Sequence, residues 1–470
     1  MTPGVVEPDR NVHKTVTSPE RSAEKDSGLG SAYAWYVVVI LSIANILSFV
    51  DRQIINLLVE PIRRDFGISD TQISLLQGFA FAVLYSFAAI PLGRLADRRN
   101  RTASIAIAMV AWSLATAACG LARNFVQLFI ARVGVGIGEA ALTPAAFSII
   151  GDYFPRGTVT RAVSMFTASS FLGSGIALLV GGFVIGRVEA VGPVVVPVLG
   201  NIYPWQMAFM VVSLPGLLFA LIMATVREPK RRMDKLVASE RAATGHDQVS
   251  IRQMLQHIVA ERSSLGAIIL GFSILGMVQF GLGAWIPTFF IRTYGWTASE
   301  IGYLYGLIFV TFGWLGVMVG GWVSDYLLSR GYTDSNLLVG LAAALLLAPF
   351  VAIFPITGNP EVASVLLALI TFLGTLPFGA GPATLAIIVP NRMRAQIVAI
   401  YMLSVNVIGQ GLGPWVIAVF TDYVMKDPML VGFSLAIVPP ACLLTGALIL
   451  QLARKPLRIA MSRLANEPSA

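Results

Sequence analysis

The segment that decides the fold is Gly93-Arg94-Leu95-Ala96-Asp97-Arg98-Arg99-Asn100-Arg101, residues 93–101. It is a short, strongly charged loop between two apolar segments, each as long as the roughly 20 residues that a membrane-crossing helix needs. Its Gly-x-x-x-Asp pattern recurs at Gly321 and Asp325, 228 residues later and again after a long apolar segment. The loop therefore predicts both a membrane protein and an internal repeat.

The composition also indicates a chain that crosses the membrane many times. Of its 470 residues, 56% are hydrophobic and 12% are charged, and the mean hydropathy is +0.76. A soluble domain carries about 25% charged residues, so a soluble globular protein is excluded. We predict twelve transmembrane helices, at about residues 35–58, 72–95, 102–121, 125–150, 161–187, 205–226, 264–290, 299–326, 336–356, 362–388, 395–422 and 430–453.

Lysine and arginine placement predicts the orientation of these helices. With both termini in the cytoplasm, 25 of the 33 Lys and Arg residues fall in cytoplasmic segments and 6 in outer loops. Cytoplasmic loops of membrane proteins carry this excess of positive charge. We therefore expect a multi-pass protein of the cell's inner (plasma) membrane. Its net charge of +8 indicates contact with anionic membrane lipids rather than with nucleic acid.

Two further matches support an internal duplication. Arg161-Ala162 recurs as Arg394-Ala395 after 233 residues, and the Gly-x-Gly at 173–175 recurs at 411–413 after 238. These offsets all lie near half the chain length. Parallel six-helix halves that hold a substrate between them are typical of transporters with a rocking mechanism. The predicted fold is thus an all-α membrane protein with two pseudo-symmetric six-helix bundles.

The predicted organisation has five parts. They are a disordered cytoplasmic tail (1–34), an N-terminal bundle (35–226), a cytoplasmic linker (227–263), a C-terminal bundle (264–453) and a cytoplasmic C-terminal tail (454–470). Within the linker, apolar residues at helical spacing between 251 and 259 predict a short amphipathic helix that lies along the bundle or the membrane surface.

Four charged residues lie deep inside predicted helices, away from their ends: Asp51 and Arg52 in the first, Arg132 and Glu139 in the fourth. Each such group costs about 2.5–3.5 kcal/mol on insertion scales, so it indicates function. We expect Asp51 and Glu139 to take up and release a proton, while Arg52 and Arg132 hold the ionised acid or an anionic group of the substrate. The alternative is a salt-bridge network that only holds the first helix against the fourth.

The second half has no comparable charge within its helices. Its interior polar candidates for substrate binding are Gln279, Asn406 and Gln410, which lie among many aromatic residues, and Asn45 is a further candidate in the first half. One ionic wall and one apolar, aromatic wall suit an amphiphile with a charged head.

The repeated loops predict a latch at the cytoplasmic side. We expect Asp97 to contact the start of the eleventh helix and Asp325 the start of the fifth, because a carboxylate is stabilised at a helix N-terminus. Asp152, which ends the fourth helix, is expected to bind one of the loop arginines. The predicted latch residues are Gly93, Asp97, Arg98, Arg101, Asp152, Arg161, Asp325 and Arg394.

Metal, redox and catalytic sites are not expected. The three histidines, His13, His246 and His257, all lie outside the apolar segments, and Cys119 and Cys442 are far apart in sequence. No serine–lysine pair or HExxH pattern is evident. We predict that the protein is not an enzyme, binds no cofactor or metal and is driven by the proton gradient.

The chain resembles the major facilitator superfamily over about residues 35–455. The loop at 93–101 looks like the best-known signature of that family, with Asn100 where a glycine is more usual. Within the family, three stretches resemble the spinster-type branch: residues 51–53 (Asp-Arg-Gln), 68–81 and 132–140 (Arg-Val-Gly-Val-Gly-Ile-Gly-Glu-Ala).

This resemblance implies alternating-access transport of an amphiphilic lipid, similar to sphingosine-1-phosphate or a lysophospholipid, with proton coupling and with functional weight on Asp51, Arg52, Arg132 and Glu139. We predict a monomer whose partners are that lipid, protons and membrane lipids. One alternative is a proton-coupled symporter of organic anions such as sugar acids, whose fourth helix has a similar Arg-to-Glu-Ala stretch. Another is a non-transporting membrane sensor of the same fold.

Overall fold

In the part of the chain that it describes, the computed structural model contains twelve helices that are long and apolar enough to cross a membrane. It describes residues 27–466 apart from 99, 156, 198, 199, 230, 232–255, 257 and 390. The spans are α1 (Ala32–Leu57), α2 (Asp70–Gly93), α3 (Arg101–Leu121), α4 (Phe125–Tyr153), α5 (Val159–Val191), α6 (Pro204–Ala224), α7 (Arg262–Tyr294), α8 (Ala298–Ser329), α9 (Ser335–Ile356), α10 (Pro360–Ile388), α11 (Gln396–Met425) and α12 (Pro428–Ser462).

The spans form two halves, α1–α6 and α7–α12. We call the end at which α1 begins and α12 ends the terminal end, and the opposite end the far end. At the far end, a short helix (Val59–Phe66) connects α1 to α2. Also at the far end, a hairpin of β1 (Val194–Val196) and β2 (Gly200–Ile202) connects α5 to α6, with antiparallel pairing of Val194 with Ile202.

Two predicted boundaries need correction. The helix of α1 begins at Ser27, inside the predicted tail 1–34, and it is already packed at Ala34, which is 2% exposed. The helix of α12 continues to Asn466, through most of the predicted tail 454–470, because Leu457 is buried against the second half. Most of the predicted linker helix lies outside the described residues.

Several spans change their helical winding near the middle of the bundle. The interruptions are 3₁₀ turns at Ile54–Leu57 in α1 and Leu376–Gly379 in α10, and π-helical turns at Leu75–Phe79 in α2, Phe309–Gly313 in α8 and Val405–Gly411 in α11. Such turns leave backbone groups without their usual partners and occur often at functional sites.

The two halves meet closely at the far end through glycines of α5 and α8. A Cβ atom on Gly302 would lie 2.9 Å from the Cα atom of Gly182, so neither helix has room for a side chain there. The hydroxyl of Ser299 donates a 2.8 Å hydrogen bond to the carbonyl oxygen of Gly182 across the same contact. The backbones of the two halves therefore touch at this end.

At the terminal end, a buried carboxylate binds the second half together. Asp334, just before α9, accepts hydrogen bonds from Arg454 Nε at 2.6 Å and Arg458 Nη2 at 3.0 Å, both on the extension of α12. Burial alone favours the protonated carboxyl, but the two guanidinium donors outweigh it and hold the pKa of Asp334 below its ordinary value. This cluster fixes the extension of α12 on the start of α9.

We expect Asp334→Asn to lower the thermal stability of the purified protein at neutral pH. Because the folded pKa is depressed, this carboxylate contributes its full stabilisation above the ordinary carboxyl pKa, and the contribution is lost as the pH falls through the folded value. The difference in Tm between wild type and variant should therefore hold from pH 7 down to the ordinary carboxyl pKa of 3.8 and shrink only as the pH falls below that value. Asp325→Asn, at an exposed position of the same end, is the matched control and should leave Tm unchanged.

Candidate functional site

A cavity of about 240 Å³ lies between the two halves, near the middle of the bundle. Its walls come from α1, α2 and α5 of the first half and α7, α8, α10 and α11 of the second. The polar residues that line it are Arg52, Gln53, Asn56, Gln77, Ser170, Ser174, Gln279, Thr375, Asn406 and Gln410. Five phenylalanines complete much of the wall: Phe49, Phe171, Phe280, Phe309 and Phe378.

The changes in helical winding bring many of these side chains to the cavity. The 3₁₀ turn of α1 carries Asn56, and the π-helical turn of α2 carries Gln77. On the opposite side, the π-helical turn of α11 carries Asn406 and Gln410, and the turn in α8 carries Phe309. The cavity is thus built where the helices are least regular.

Arg52 brings a positive charge to the cavity wall. Its guanidinium lies over the ring of Phe81 at 4.2 Å and beside that of Phe49 at 4.8 Å, and its side chain remains 16% exposed. Its Nη2 donates to Glu139 Oε2 at 2.7 Å. A cation–π stack and one charged hydrogen bond orient the guanidinium, while its remaining donors leave capacity for an anion.

A glycine on α4 makes this stack possible. A Cβ atom on Gly136 would lie 2.9 Å from the backbone oxygen of Phe81, so α2 lies directly against α4 at this point. The missing side chain of Gly136 thus leaves space that the neighbouring helix α2 fills.

The two acidic residues are both almost fully buried, at 1% exposure each. Glu139 pairs with Arg52 through one oxygen, while its Oε1 atom has no hydrogen-bond partner among the described residues. Asp51 makes no ion pair in the described part of the chain, and its carboxyl lies near Thr116 and Trp112 of α3. The predicted cluster of two acids and two arginines does assemble, but it contains one ion pair rather than two.

Arg132 lies behind the cavity and not in its wall. It is completely buried and donates to the backbone carbonyl oxygens of Asp51 at 2.9 Å and Arg52 at 3.1 Å. In this structure Arg132 therefore binds the backbone of α1. It makes no ion pair with a carboxylate among the described residues, and it does not line the cavity. Asn45 is also outside the wall: its amide donates to the hydroxyls of Ser169 and Ser170 and ties α1 to α5.

The cavity wall does include Gln279, Asn406 and Gln410, which the sequence predicts as substrate-binding candidates. The expectation of one ionic and one apolar wall is not met, because both halves contribute carboxamides and both contribute phenylalanines. The sequence reading missed Gln53 and Gln77. Gln77 is a polar residue within an apolar span, near its start, and that signal marks it as a candidate.

The predicted latch residues are only partly brought together. Arg101 pairs with Asp152 at the terminal end, as expected for one of the loop arginines, and Arg101 Nε also donates to Glu228 Oε1 at 2.6 Å. Asp325 and Arg161 are exposed and have no hydrogen-bond or ion-pair partner within the described residues. The remaining latch residues are Gly93, near Pro144 of α4, the exposed Arg394, and Asp97 and Arg98, whose side chains lie outside the description.

Ion pairs close the far end. Arg292, at the end of α7, donates to both carboxylate oxygens of Asp70 at 2.6 and 2.7 Å and to Glu60 at 2.6 Å. The backbone N–H and the hydroxyl of Thr71 both donate to Asp422 of α11 at 2.6 Å. The described hydrogen bonds and ion pairs that join the two halves include these far-end contacts and one at the cavity, from Gln77 to the carbonyl oxygen of Ala284. The sequence places Glu60, Asp70, Thr71 and Arg292 in predicted loops and Asp422 at the end of the eleventh predicted helix, and it predicts no role for them.

Comparisons with known proteins agree with this architecture. The Major Facilitator Superfamily pattern matches residues 41–414. An MFS-type efflux pump of Mycolicibacterium smegmatis is 26% identical over 93% of this chain and 97% of its own length. The D-galactonate transporter of Escherichia coli is 26% identical over 64% of this chain and 69% of its own length.

One solved structure is similar over nearly the whole chain. It is a bacterial homologue of the human lysosomal transporter spinster, in an inward-facing and unoccupied conformation. It is 26% identical, it superimposes with a TM-score of 0.71, and the alignment covers 92% of this chain and 97% of that one.

We expect Asp70→Asn to open the far end, because it removes the carboxylate that binds Arg292 with two hydrogen bonds. Spin labels attached through Arg64→Cys and Met429→Cys, in a background in which Cys119 and Cys442 are replaced by alanine, report the distance between the halves. Pulsed electron resonance should show a larger population at longer distance in the variant. Glu361→Gln, an exposed far-end acid, is the control; equal distance distributions in all three proteins would contradict the role of the ion pair.

Proposed function

Because the chain belongs to the Major Facilitator Superfamily and has twelve spans around a central cavity, we propose that it is a secondary active transporter of an anionic substrate. Transport proceeds by rocking of the two six-helix halves, so that the cavity opens first to one side and then to the other. The observation that carries the proposal is Arg52, whose guanidinium is held in the cavity wall and keeps donors free for an anion.

The lead substrate class is an amphiphile with an anionic head, such as a lysophospholipid or a sphingosine-1-phosphate-like lipid. Similarity to the spinster homologue over almost the whole chain supports it, as do the phenylalanines that line the cavity from both halves. Apolar walls with a few placed polar groups suit a ligand that is itself mostly apolar.

The second candidate is a sugar acid or another small organic anion. The D-galactonate transporter relative supports this class, and so does the number of carboxamides in the wall. Both candidates place the negative charge of the substrate at Arg52 and differ in what fills the rest of the cavity.

Proton coupling follows from competition for one guanidinium. Glu139, when ionised, holds Arg52 through a 2.7 Å hydrogen bond inside the first half. A proton on Glu139 neutralises it and leaves the full charge of Arg52 for the substrate. Asp51, buried one residue before Arg52, is the second carboxyl that gains or loses a proton in the cycle. The proton gradient then drives transport, with no cofactor.

The proposed orientation places the terminal end in the cytoplasm of a cell with the protein in its inner membrane, since most Lys and Arg residues lie at that end. In that orientation the far-end ion pairs seal the outer side. The proposal takes the protein to work as a monomer, because one chain contains the whole cavity.

Transport by purified protein in liposomes tests the proposal. We expect saturable uptake of labelled lysophospholipid, sphingosine-1-phosphate or galactonate that increases with a proton gradient. Arg52→Ala should weaken apparent affinity by about 10- to 100-fold, the effect of losing a hydrogen bond to a charged group. Arg52→Lys should recover part of it, because lysine keeps the charge but not the planar stack.

Glu139→Gln and Asp51→Asn should each reduce the dependence of uptake on the proton gradient. Glu189→Gln, an acid of α5 outside the cluster, is the matched control and should behave as wild type. If both cluster variants keep the wild-type pH dependence, the coupling role is wrong. Binding of substrate without any saturable flux would instead favour a sensor.

A further inference from the structure

We infer that the substrate head carries hydroxyl groups beside its negative charge, and that Gln77 binds one of them. The inference rests on the proposed function, because it assigns a substrate class to the same cavity. It comes from the direction of the hydrogen bonds in the cavity wall.

The orientation of the Gln77 amide is fixed by its neighbours. One of its two terminal atoms lies 3.1 Å from the backbone oxygen of Ala284 in α7. Because that oxygen can only accept, the atom that faces it must be Nε2, which also donates to Asn56 Oδ1 at 3.1 Å. Gln77 Oε1 then has no partner among the described residues, although the side chain is only 5% exposed and lines the cavity.

Gln77 is one end of a directed chain of carboxamides. Asn56 accepts from Gln77 and donates through Nδ2 to Gln53 Oε1 at 2.7 Å. The chain therefore ends with a free acceptor at Gln77 and with the Nε2 donor of Gln53, for which the described residues provide no partner. A donor and an acceptor are presented along one wall.

The opposite wall is similar in chemistry. Gln279, Asn406 and Gln410 line the cavity from α7 and α11, and none of them hydrogen-bonds to another described residue. A buried carboxamide that finds no partner destabilises a protein or a complex, so a ligand that fills this space with alkyl groups alone binds poorly.

Hydroxyl groups match these walls best. A hydroxyl donates and accepts, as each carboxamide does, whereas a phosphate or carboxylate only accepts and an ammonium only donates. Arg52 already provides for the anion. Among the described residues that line the cavity, none carries a carboxylate to bind an ammonium head. The head group is thus an anion with neighbouring hydroxyls, which is the chemistry of a free sugar acid and of a lysolipid with a phosphoglycerol head.

Two matched ligand pairs test this chemistry and separate its sources. Galactonate is compared with hexanoate, and lysophosphatidylglycerol with lysophosphatidylethanol, by equilibrium binding to the purified full chain. The hydroxylated member of at least one pair should bind about tenfold or more tightly, the effect of one or two satisfied hydrogen bonds. Preference within the first pair identifies a free sugar acid as the source, and preference within the second identifies a lipid.

Gln77→Leu should reduce that preference to about threefold or less, because the leucine cannot accept the hydrogen bond of the hydroxyl. Gln206→Leu is the matched control. Gln206 is also a buried carboxamide of the first half, but it lies outside the cavity, where its amide donates to the backbone carbonyl oxygen of Ala122. Asn406→Leu, on the opposite wall, is the second variant if Gln77→Leu fails to fold, and it should also reduce the preference.

Equal binding within both pairs, together with saturable transport of an anion, would overturn the inference and leave the proposed function in place. A wild-type preference in Gln77→Leu and Asn406→Leu would overturn the assignment of these carboxamides. Absence of saturable binding of any of the four ligands, with wild-type and Arg52→Ala protein alike, would count against the proposed function itself.

Discussion

The geometry of the site depends on the hydrogen bonds that Arg132 donates to the backbone of α1. The α-helical part of α1 ends at Gln53, and a 3₁₀ turn follows, so the carbonyl groups just before the break lose their usual partners. An unsatisfied carbonyl at membrane depth costs several kcal/mol. The guanidinium of Arg132 provides donors to the carbonyls of Asp51 and Arg52, and it thereby fixes the backbone from which both side chains project.

At the terminal end of each half, a buried charged side chain is neutralised by a residue of opposite charge, and the sign of the buried charge differs between the halves. In the first half, a cation at the start of α3 (Arg101) binds an acid after α6 (Glu228). In the second half, an acid at the start of α9 (Asp334) binds a cation at the end of α12 (Arg454). In both halves the ion pair joins the third helix to the end of the sixth, but the acid and the base have changed places. This indicates that the repeated fold requires an ion pair at this position, whichever residue carries which charge.

The sequence predicted site residues where a residue type is rare at membrane depth, and it gave no signal where backbone geometry determines the contact. Charges within apolar segments pointed to Arg52 and Glu139, and these do pair, since few other partners exist at that depth. Arg132 was expected to hold an acid or a substrate, but its acceptors are backbone carbonyls, which every residue has and no pattern marks. The π-helical turns have no composition signature, so the polar character of Gln77 marks it as a candidate but does not predict its position in the cavity wall. Its role, like that of Arg52, is a proposal from the geometry.

The strength of the contacts differs between the interior of each half and the surface between the halves, and alternating access requires that difference. Inside the first half, separating Arg132 from α1 would leave a charge and two carbonyls unpaired without water. Between the halves, opening the far end separates Arg292 from Asp70 but transfers both to water, and their hydration offsets the lost attraction of the buried pair. A further far-end contact, Gly182 against Gly302, is mainly backbone packing, which costs little to break when lipid or water replaces it. Each half can therefore move as a rigid body while the surface between them opens and closes.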